Sequence, residues 1–424
     1  MTIEQLHKLF LKHPTISTDT RKIKEGCIFF ALKGENFNGN KYASEALNKG
    51  ASFAIVDEVD YALNNQIILV DDVLKTLQKL ATFHRNQSSA KIIALTGSNG
   101  KTTTKELINS VLSIKYKTIA TIGNLNNHIG VPLTLLSIKP ETELAIVEMG
   151  ANHQKEIEFL CSIALPDFGY ITNFGKAHLE GFGGEAGVIK GKSELYSYLI
   201  SHNKPIFMNA DDPIQLEKLG NYVKKYGFSQ NQHNYYNIKF LEANPFVHLS
   251  FENEIIKSQL IGSYNYTNCC AAILIGKYFN IPDGDMNKAI ASYVPKNNRS
   301  QLINKNGHII ILDAYNANPT SMIAALNNFN TMETSNKIII LGDMFELGKA
   351  AKKEHQNIAN IAEEMPFNKI LLVGENFAKT NTKNLKFASF DLLKDYLKQN
   401  KFPQSSLLIK GSRGMALERV LDLL

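Results

Sequence analysis

The sequence predicts an α/β protein in three domains, and three observations predict it. Apolar runs of strand length alternate with segments whose leucines and alanines recur at helical spacing, the pattern of parallel sheets covered by helices. Polar clusters rich in glycine and asparagine follow several of those runs, at the carboxyl edge where such sheets gather ligands. One cluster, in KIIALTGSNGKTTTKE from Lys91 to Glu106, joins an apolar run through a glycine turn straight to a helix start. The reading divides the chain into a small N-terminal α/β domain at 1–88, a central parallel sheet at 89–295 and a C-terminal Rossmann-like domain at 296–424.

Composition narrows the class. A chain of 424 residues, 44% hydrophobic and 20% charged, can bury several cores. The net charge of +6 is modest, and Lys and Arg are scattered without a basic block. Nucleic acid is therefore not implied, while anionic small substrates remain open. Cys27, Cys161, Cys269 and Cys270 show no metal-ligand spacing and fit buried thiols in a reducing, cytoplasmic compartment. The start, MTIEQLHKLFLKHP, lacks a secretory apolar region, and no apolar run reaches about 18 residues, so membrane insertion is not expected.

In the first domain, strands fit 27–32, 53–56 and 67–70, and a helix fits 71–85 with Leu74, Leu77, Leu80 and Ala81 at its spacing. Asp19-Thr20-Arg21 and the run from Lys33 to Gly39 are polar loops, either turns that satisfy their own backbone or ligand contacts. A domain boundary is expected at 86–90.

The central domain begins with the apolar run of Ile92, Ile93, Ala94 and Leu95, which stops at Thr96-Gly97-Ser98-Asn99-Gly100 before a helix from Lys101. Such a turn aims backbone N–H groups and the positive end of a helix dipole at one point, which suits phosphate. Lys101 adds a cation for the outer phosphates, and Thr102 or Thr103 a hydroxyl for Mg²⁺. The usual spacing places glycine where Leu95 stands, so this is the shorter G-x-x-G-K-T form. With a strand before it and a helix after it, the loop marks an ATP site in a P-loop ATPase-like domain. Strands at 144–147 and 168–171 end at Glu148 and Asn173, which places both on the edge that carries Gly97 and Lys101; a carboxylate there favours metal ligation. His178 lies in a glycine-rich loop, where a single histidine is more often structural. Lys190 and Lys192 lie on the next helix, and read alone they form a solvated face. Asn265 or Asn268 either caps the helix at 269–279 or meets a ligand.

The third domain alternates again, with strands at 308–312, 337–341, 369–373 and 406–410 and helices at 321–329, 350–363, 391–399 and 415–423. Polar clusters close those strands: Asp313 to Pro319, including Asn316 and Asn318; Gly342 to Gly348; and Gly411-Ser412-Arg413-Gly414. The last is a second strand–glycine–helix turn, with Arg413 placed to hold a carboxylate.

These blocks, in order, resemble the Mur ligase family over the whole chain. Asp19-Thr20-Arg21 and FFALKG are followed by TGSNGKTT, NNHIGVPLTLL, EMGANH, TNFGKAHLEGFG and GKSELY, then by YNYTNCCAA, DAYNANPTSM, LGDMFELG and KGSRGM. Each is weak alone; the ordered set is specific. The resemblance implies an N-terminal domain for the UDP part of the substrate, a central ATPase and a C-terminal domain for the incoming amino component. NANPTSM and LGDMFELG, with no Asp-Asn-Pro-Arg motif, resemble the member that adds D-alanyl-D-alanine to UDP-N-acetylmuramoyl-tripeptide. That member makes a peptidoglycan precursor by phosphorylating the tripeptide carboxylate and letting the dipeptide amine attack the acyl phosphate.

Position by position, the resemblance implies Gly97, Ser98, Asn99, Gly100, Lys101, Thr102, Thr103, Asn268, Arg299 and Asp313 at ATP, and Lys101, Glu148, His178 and Lys192 in catalysis. Thr102 and Glu148 would hold one Mg²⁺ and His178 a second. Lys192, rather than its neighbour Lys190, would be the lysine carbamylated by CO₂ to face the metal. Asp19, Thr20 and Arg21 would bind the UDP substrate, and Asn316, Asn318, Ser412 and Arg413 the dipeptide. A hinge is implied at 297–299, and the chain is expected to act as a monomer. Tyr264 departs from the pattern, standing where the family commonly has histidine. The rival readings are a sibling ligase, meaning the third-residue adder or a folylpolyglutamate synthase relative, and a non-catalytic nucleotide switch.

Overall fold

A computed structural model describes residues 1–252, 254–296 and 298–424. Asn297, one of the three residues read as a hinge, lies outside the described residues. Among those described, the first region forms a four-stranded parallel sheet from Ile16–Ser17, Ile28–Phe30, Phe53–Val56 and Ile67–Leu69. Its helix Val73–Gln87 starts where the Asp72 carboxylate accepts from Lys75 N, and it buries Val73, Leu77, Leu80 and Ala81. The preceding helix, Ile3–Lys12, was not expected from the sequence; Thr2 and Gln5 close a capping box at its start.

The stretch 86–90 is pinned at its flank. The Arg85 guanidinium donates to Asp167 Oδ2 at 2.7 Å and to the Ala90 carbonyl at 3.0 Å. His84 Nε2 meets the Ile138 carbonyl at 2.9 Å, so the last helix of the first region is anchored on the second.

The central sheet is parallel throughout. Its order is Tyr236–Asn237, Lys225–Ser229, Ile206–Asn209, Phe168–Ile171, Lys91–Thr96, Leu144–Glu148, Thr118–Ala120. Lys91–Thr96 therefore sits between Leu144–Glu148 and Phe168–Ile171, and the carboxyl ends of all three reach one edge. The expected alternation of strand and helix fails beyond Tyr236. Lys239–Ala243, Phe246–Phe251 and Glu254–Ile261 form an antiparallel sheet, whose alternating burial in Phe246–Phe251 shows one face on the core and one in solvent.

The third sheet has the order Gln301–Lys305, His308–Asp313, Ser406–Lys410, Lys337–Gly342, Lys369–Val373, Leu385–Phe387, parallel except at its first, edge strand. Ser406–Lys410 is buried at every position, so its last residue is delivered to the centre of the carboxyl edge. The α-helix expected at 415–423 is instead a pair of 3-10 segments, Arg413–Met415 and Leu417–Leu423. No described helix is long and apolar enough to cross a membrane.

Candidate active site

The carboxyl edges of the second and third sheets face each other across a cavity of about 740 Å³. Ser98, Asn99, Gly100, Lys101, Thr102 and Thr103 line it from one side, with Glu148, Asn173, His178, Tyr264 and Asn268; Arg299, Asp313, Asn316, Asn318 and Lys410 line it from the other.

Local chemistry explains the loop. Gly97 has φ +141°, and a Cβ there would drive into Thr172 Oγ1; Gly100 has φ +80°, and a Cβ would lie 2.6 Å from Asn268 Oδ1. Only glycine fits both positions. Ser98 N donates to the Asn173 carbonyl and Asn99 N to Asn173 Oδ1, which ties the turn to the neighbouring strand end. Gly100 begins the helix Lys101–Leu112 with no side-chain cap, leaving the first turn open to an anion. The Lys101 ammonium folds back on the Gly97 and Ser98 carbonyls at 2.7 and 3.3 Å. Burial pulls its pKa down, the Glu148 carboxylate opposes that shift and the Arg299 charge adds to it.

Glu148 is 2% exposed and ends its strand beside the loop. Its carboxylate accepts from Thr102 Oγ1 at 2.9 Å and from Asn126 Nδ2 at 2.8 Å, both neutral donors, and makes no ion pair among the described residues. A buried anion whose hard oxygens are met by neutral donors is the kind of ligand that a divalent cation suits. Thr103 also lines the cavity, but the hydroxyl that donates to Glu148 is that of Thr102, which separates the two threonines. His178 lines the same cavity in a left-handed conformation, yet its Nδ1 is turned onto the Glu346 carboxylate. No group of three His, Cys, Asp or Glu side chains poised for a metal occurs among the described residues.

The two helix lysines also separate. The reading of both as a solvated face is corrected here: Lys190 is exposed, whereas Lys192 is fully buried, its Nζ donating to the Ala151 carbonyl at 3.1 Å over the Phe182 ring. Burial first, then the Lys101 charge, pushes its pKa well below the ordinary lysine value. Neither asparagine at the next helix start caps it. Asn265 donates to the Ile261 carbonyl at 2.8 Å, and Asn268 accepts from Thr104 Oγ1 at 2.9 Å behind Gly100.

From the third domain, Asn318 caps the helix Pro319–Thr331 and donates 2.7 Å to Asn99 Oδ1 of the phosphate loop. Lys176 N donates to Thr320 Oγ1 at 2.9 Å beside it. Asp313 accepts from Ser300 N at 3.2 Å and from Lys410 Nζ at 2.5 Å, and the Arg299 guanidinium stacks 3.6 Å over Tyr315. Lys410, Ser300 and Asn126 were not singled out from the sequence, whereas Tyr264 was noted only as a departure from the family pattern. Only Lys410 had a signal there, its place at the end of an apolar run.

Some expected residues stay outside the cavity. Asp19 is closed on Arg21, receiving its backbone N at 3.0 Å and its guanidinium at 2.9 and 2.8 Å, an arrangement that holds the Asp19 carboxyl down to about 2. Thr20 begins that short 3-10 turn. Ser412 is spent on Phe345 N, and Arg413, its side chain 60% exposed, pairs with Glu418 at 2.7 Å.

Comparisons with known proteins match this layout. Family models described as Mur ligase family, catalytic domain; Mur ligase middle domain; and Mur ligase, glutamate ligase domain match residues 14–85, 95–276 and 298–412. A UDP-N-acetylmuramoyl-tripeptide–D-alanyl-D-alanine ligase of Bacillus subtilis is 34% identical over 422 residues, covering 96% of this chain and 92% of its own length. A crystal structure of MurF from Acinetobacter baumannii superposes with TM-score 0.86 at 31% identity, covering all of this chain and 98% of that one. MurF ligase from Thermotoga maritima in complex with ADP superposes with TM-score 0.83 at 25% identity over 97% of each chain. This chain belongs to the Mur ligase family.

Proposed function

We propose that the chain is an ATP-dependent ligase that joins D-alanyl-D-alanine to UDP-N-acetylmuramoyl-tripeptide, giving the UDP-MurNAc-pentapeptide, ADP and phosphate. The observation that carries this reading is the single cavity onto which the phosphate loop, Glu148 and the third-domain residues Asp313, Asn316 and Asn318 all open. The Bacillus relative is named for this substrate pair, and the Thermotoga neighbour holds ADP.

In the proposed reaction a tripeptide carboxylate oxygen attacks the γ-phosphorus of ATP and ADP leaves. The dipeptide amine then attacks the acyl carbon, and phosphate departs with the former carboxylate oxygen as the amine loses its proton. Two anions must approach, so positioned positive charge is the main demand. Lys101 meets it by turning its ammonium from the loop carbonyls to the outer phosphates, while the loop N–H groups hold the rest. Asn268, Arg299 and Asp313 would frame the nucleoside side. Asn316 and Asn318 would position the dipeptide, and Asp19, Thr20 and Arg21 the UDP end. Ser412 and Arg413 join the dipeptide site only if the Arg413–Glu418 pair opens.

Glu148 and the Thr102 hydroxyl fit Mg²⁺, with His178 the candidate for a second ion once released from Glu346. When bound, the metal supplies charge neutralisation on the phosphates. Lys192 fits carbamylation, since CO₂ adds to an unprotonated amine and burial favours that form. Four buried free cysteines suit a cytoplasmic setting, and the proposed working unit is a monomer.

Mass spectrometry of the products from UDP-MurNAc-tripeptide, ATP, Mg²⁺ and D-Ala-D-Ala tests the reading. The pentapeptide is expected, with D-Ala-D-Ala the only strong activator of phosphate release. Stronger activation by a single amino acid would move the chain to a sibling activity. Lys192→Ala is expected to lose activity and recover part of it with acetate; full activity would remove the carbamate from the scheme.

A further inference from the structure

The segment that enters the third domain carries conformational strain next to the cavity. Asn298 and Ser300 have φ +57° and +47°, a region costly for residues with a side chain, and Ser300 is buried. Such strain persists where surrounding contacts over-determine it. Ser300 has two contacts of that kind. Its backbone N donates to Asp313 Oδ1 at 3.2 Å, and its hydroxyl lies 2.7 Å from the Tyr264 hydroxyl.

Those contacts continue in both directions. On one side, Asp313 is held by Lys410, 2% exposed at the centre of the third sheet, which also donates to the Asn316 carbonyl at 3.3 Å. On the other, Tyr264 belongs to the 3-10 turn Ser263–Asn265, whose Asn265 Oδ1 accepts from Asn268 Nδ2 at 2.8 Å; Asn268 in turn backs Gly100 and Thr104. A line of polar contacts thus runs from the middle of one sheet to the rear of the phosphate loop and crosses between domains only at Tyr264 and Ser300. Arg299, directly before Ser300, is aimed by the same backbone.

We infer that Tyr264 and Ser300 are positioning residues that clasp the linker against the nucleotide wall, fixing the direction of Arg299 and the place of Asp313 when ATP is bound. The inference rests on the ligase reading above for its nucleotide. It also gives a use to Tyr264, the position at which this chain departs from its family's usual histidine: the phenol reaches across the domain seam to a serine.

The test is kinetic and calorimetric, on the full chain, with Tyr264→Phe, Ser300→Ala, Ser300→Gly and the double variant Tyr264→Phe/Ser300→Ala. Each single variant is expected to raise KM for ATP and weaken ADP affinity by about tenfold, the scale of one buried hydrogen bond. The double variant should match the worse single one, as two halves of one contact do. KM for UDP-MurNAc-tripeptide should stay within about twofold, because the changes lie far from that end of the substrate. Ser300→Gly relieves the backbone but lacks the hydroxyl, so it should resemble Ser300→Ala; behaviour like the unaltered chain would overturn the clasp. Lowered melting temperature with unchanged nucleotide affinity would overturn it too, as would additive effects in the double variant. An unaltered chain that forms no pentapeptide strikes the ligase reading instead, and ADP calorimetry then still decides the clasp.

Discussion

The turns after Lys91–Thr96 and after Ser406–Lys410 read almost alike: a buried parallel strand, a glycine, a polar residue, a cation and a helical start. In the first, two glycines at positive φ bend the chain so that an uncapped, 12-residue α-helix points its N-terminus at the cavity. In the second, Gly411 has no positive φ, Ser412 is occupied by Phe345 N, and 3-10 segments rather than an α-helix follow. Its arginine turns out to Glu418, and the cation that reaches the cavity is Lys410, the last residue of the strand. A glycine turn makes an anion site through the conformation it adopts and the helix it feeds, and the mere presence of a nearby cation does not.

Substitutions in the two turns can break or sharpen this contrast. Lys101→Ala is expected to lower ligation at least about a hundredfold, the scale of one preorganised charge contact; turnover near the unaltered rate would remove the loop from the mechanism. Gly97→Ala should cost about 2–4 kcal/mol in stability through strain and overpacking, with loss of ATP binding. Adding Thr172→Ala should recover part of that, because Thr172 Oγ1 is the atom the new Cβ meets; thermal melting with and without ADP measures both. Gly411→Ala should cost less, about 1–2 kcal/mol, since its Cβ would meet the Leu417 Cδ1 at 3.0 Å and the Gly342 Cα at 3.1 Å but without an unfavourable φ. Arg413→Ala should be the mildest, within about 0.5 kcal/mol of stability and about twofold in KM for D-Ala-D-Ala, as for an exposed ion pair. A tenfold or larger KM effect there would mean that Arg413 swings inward, and the two turns would be functional equivalents after all.

How much of this was legible depended on what each residue needs. Strands at 53–56, 369–373 and 406–410 were read to the residue because an apolar run ends sharply at polar or glycine neighbours on both sides. The phosphate loop was equally plain, since its glycines and lysine act within a few positions of one another. The helix Glu185–Ser201 held a signal that was passed over: Val188, Lys192, Leu195 and Leu199 share its buried face at helical spacing, and Lys190 does not. The antiparallel sheet at 239–261 was hidden by the expectation that alternation continued, although Phe246–Phe251 alternates in and out. Contacts such as Asn318 to Asn99, 219 positions apart, leave no trace in local pattern. Neither does the clasp of Tyr264 on Ser300, because only the folded sheets decide which strand ends face each other.

The central claim is that the cavity activates a carboxylate by moving a phosphoryl group onto it. UDP-MurNAc-tripeptide carrying heavy oxygen in its terminal carboxylate, incubated with ATP, Mg²⁺ and D-Ala-D-Ala, tests that claim through the isotope content of the released phosphate. One heavy oxygen per phosphate, formed in step with the pentapeptide, is the predicted result. Phosphate free of the label, with pentapeptide still produced, would contradict the account.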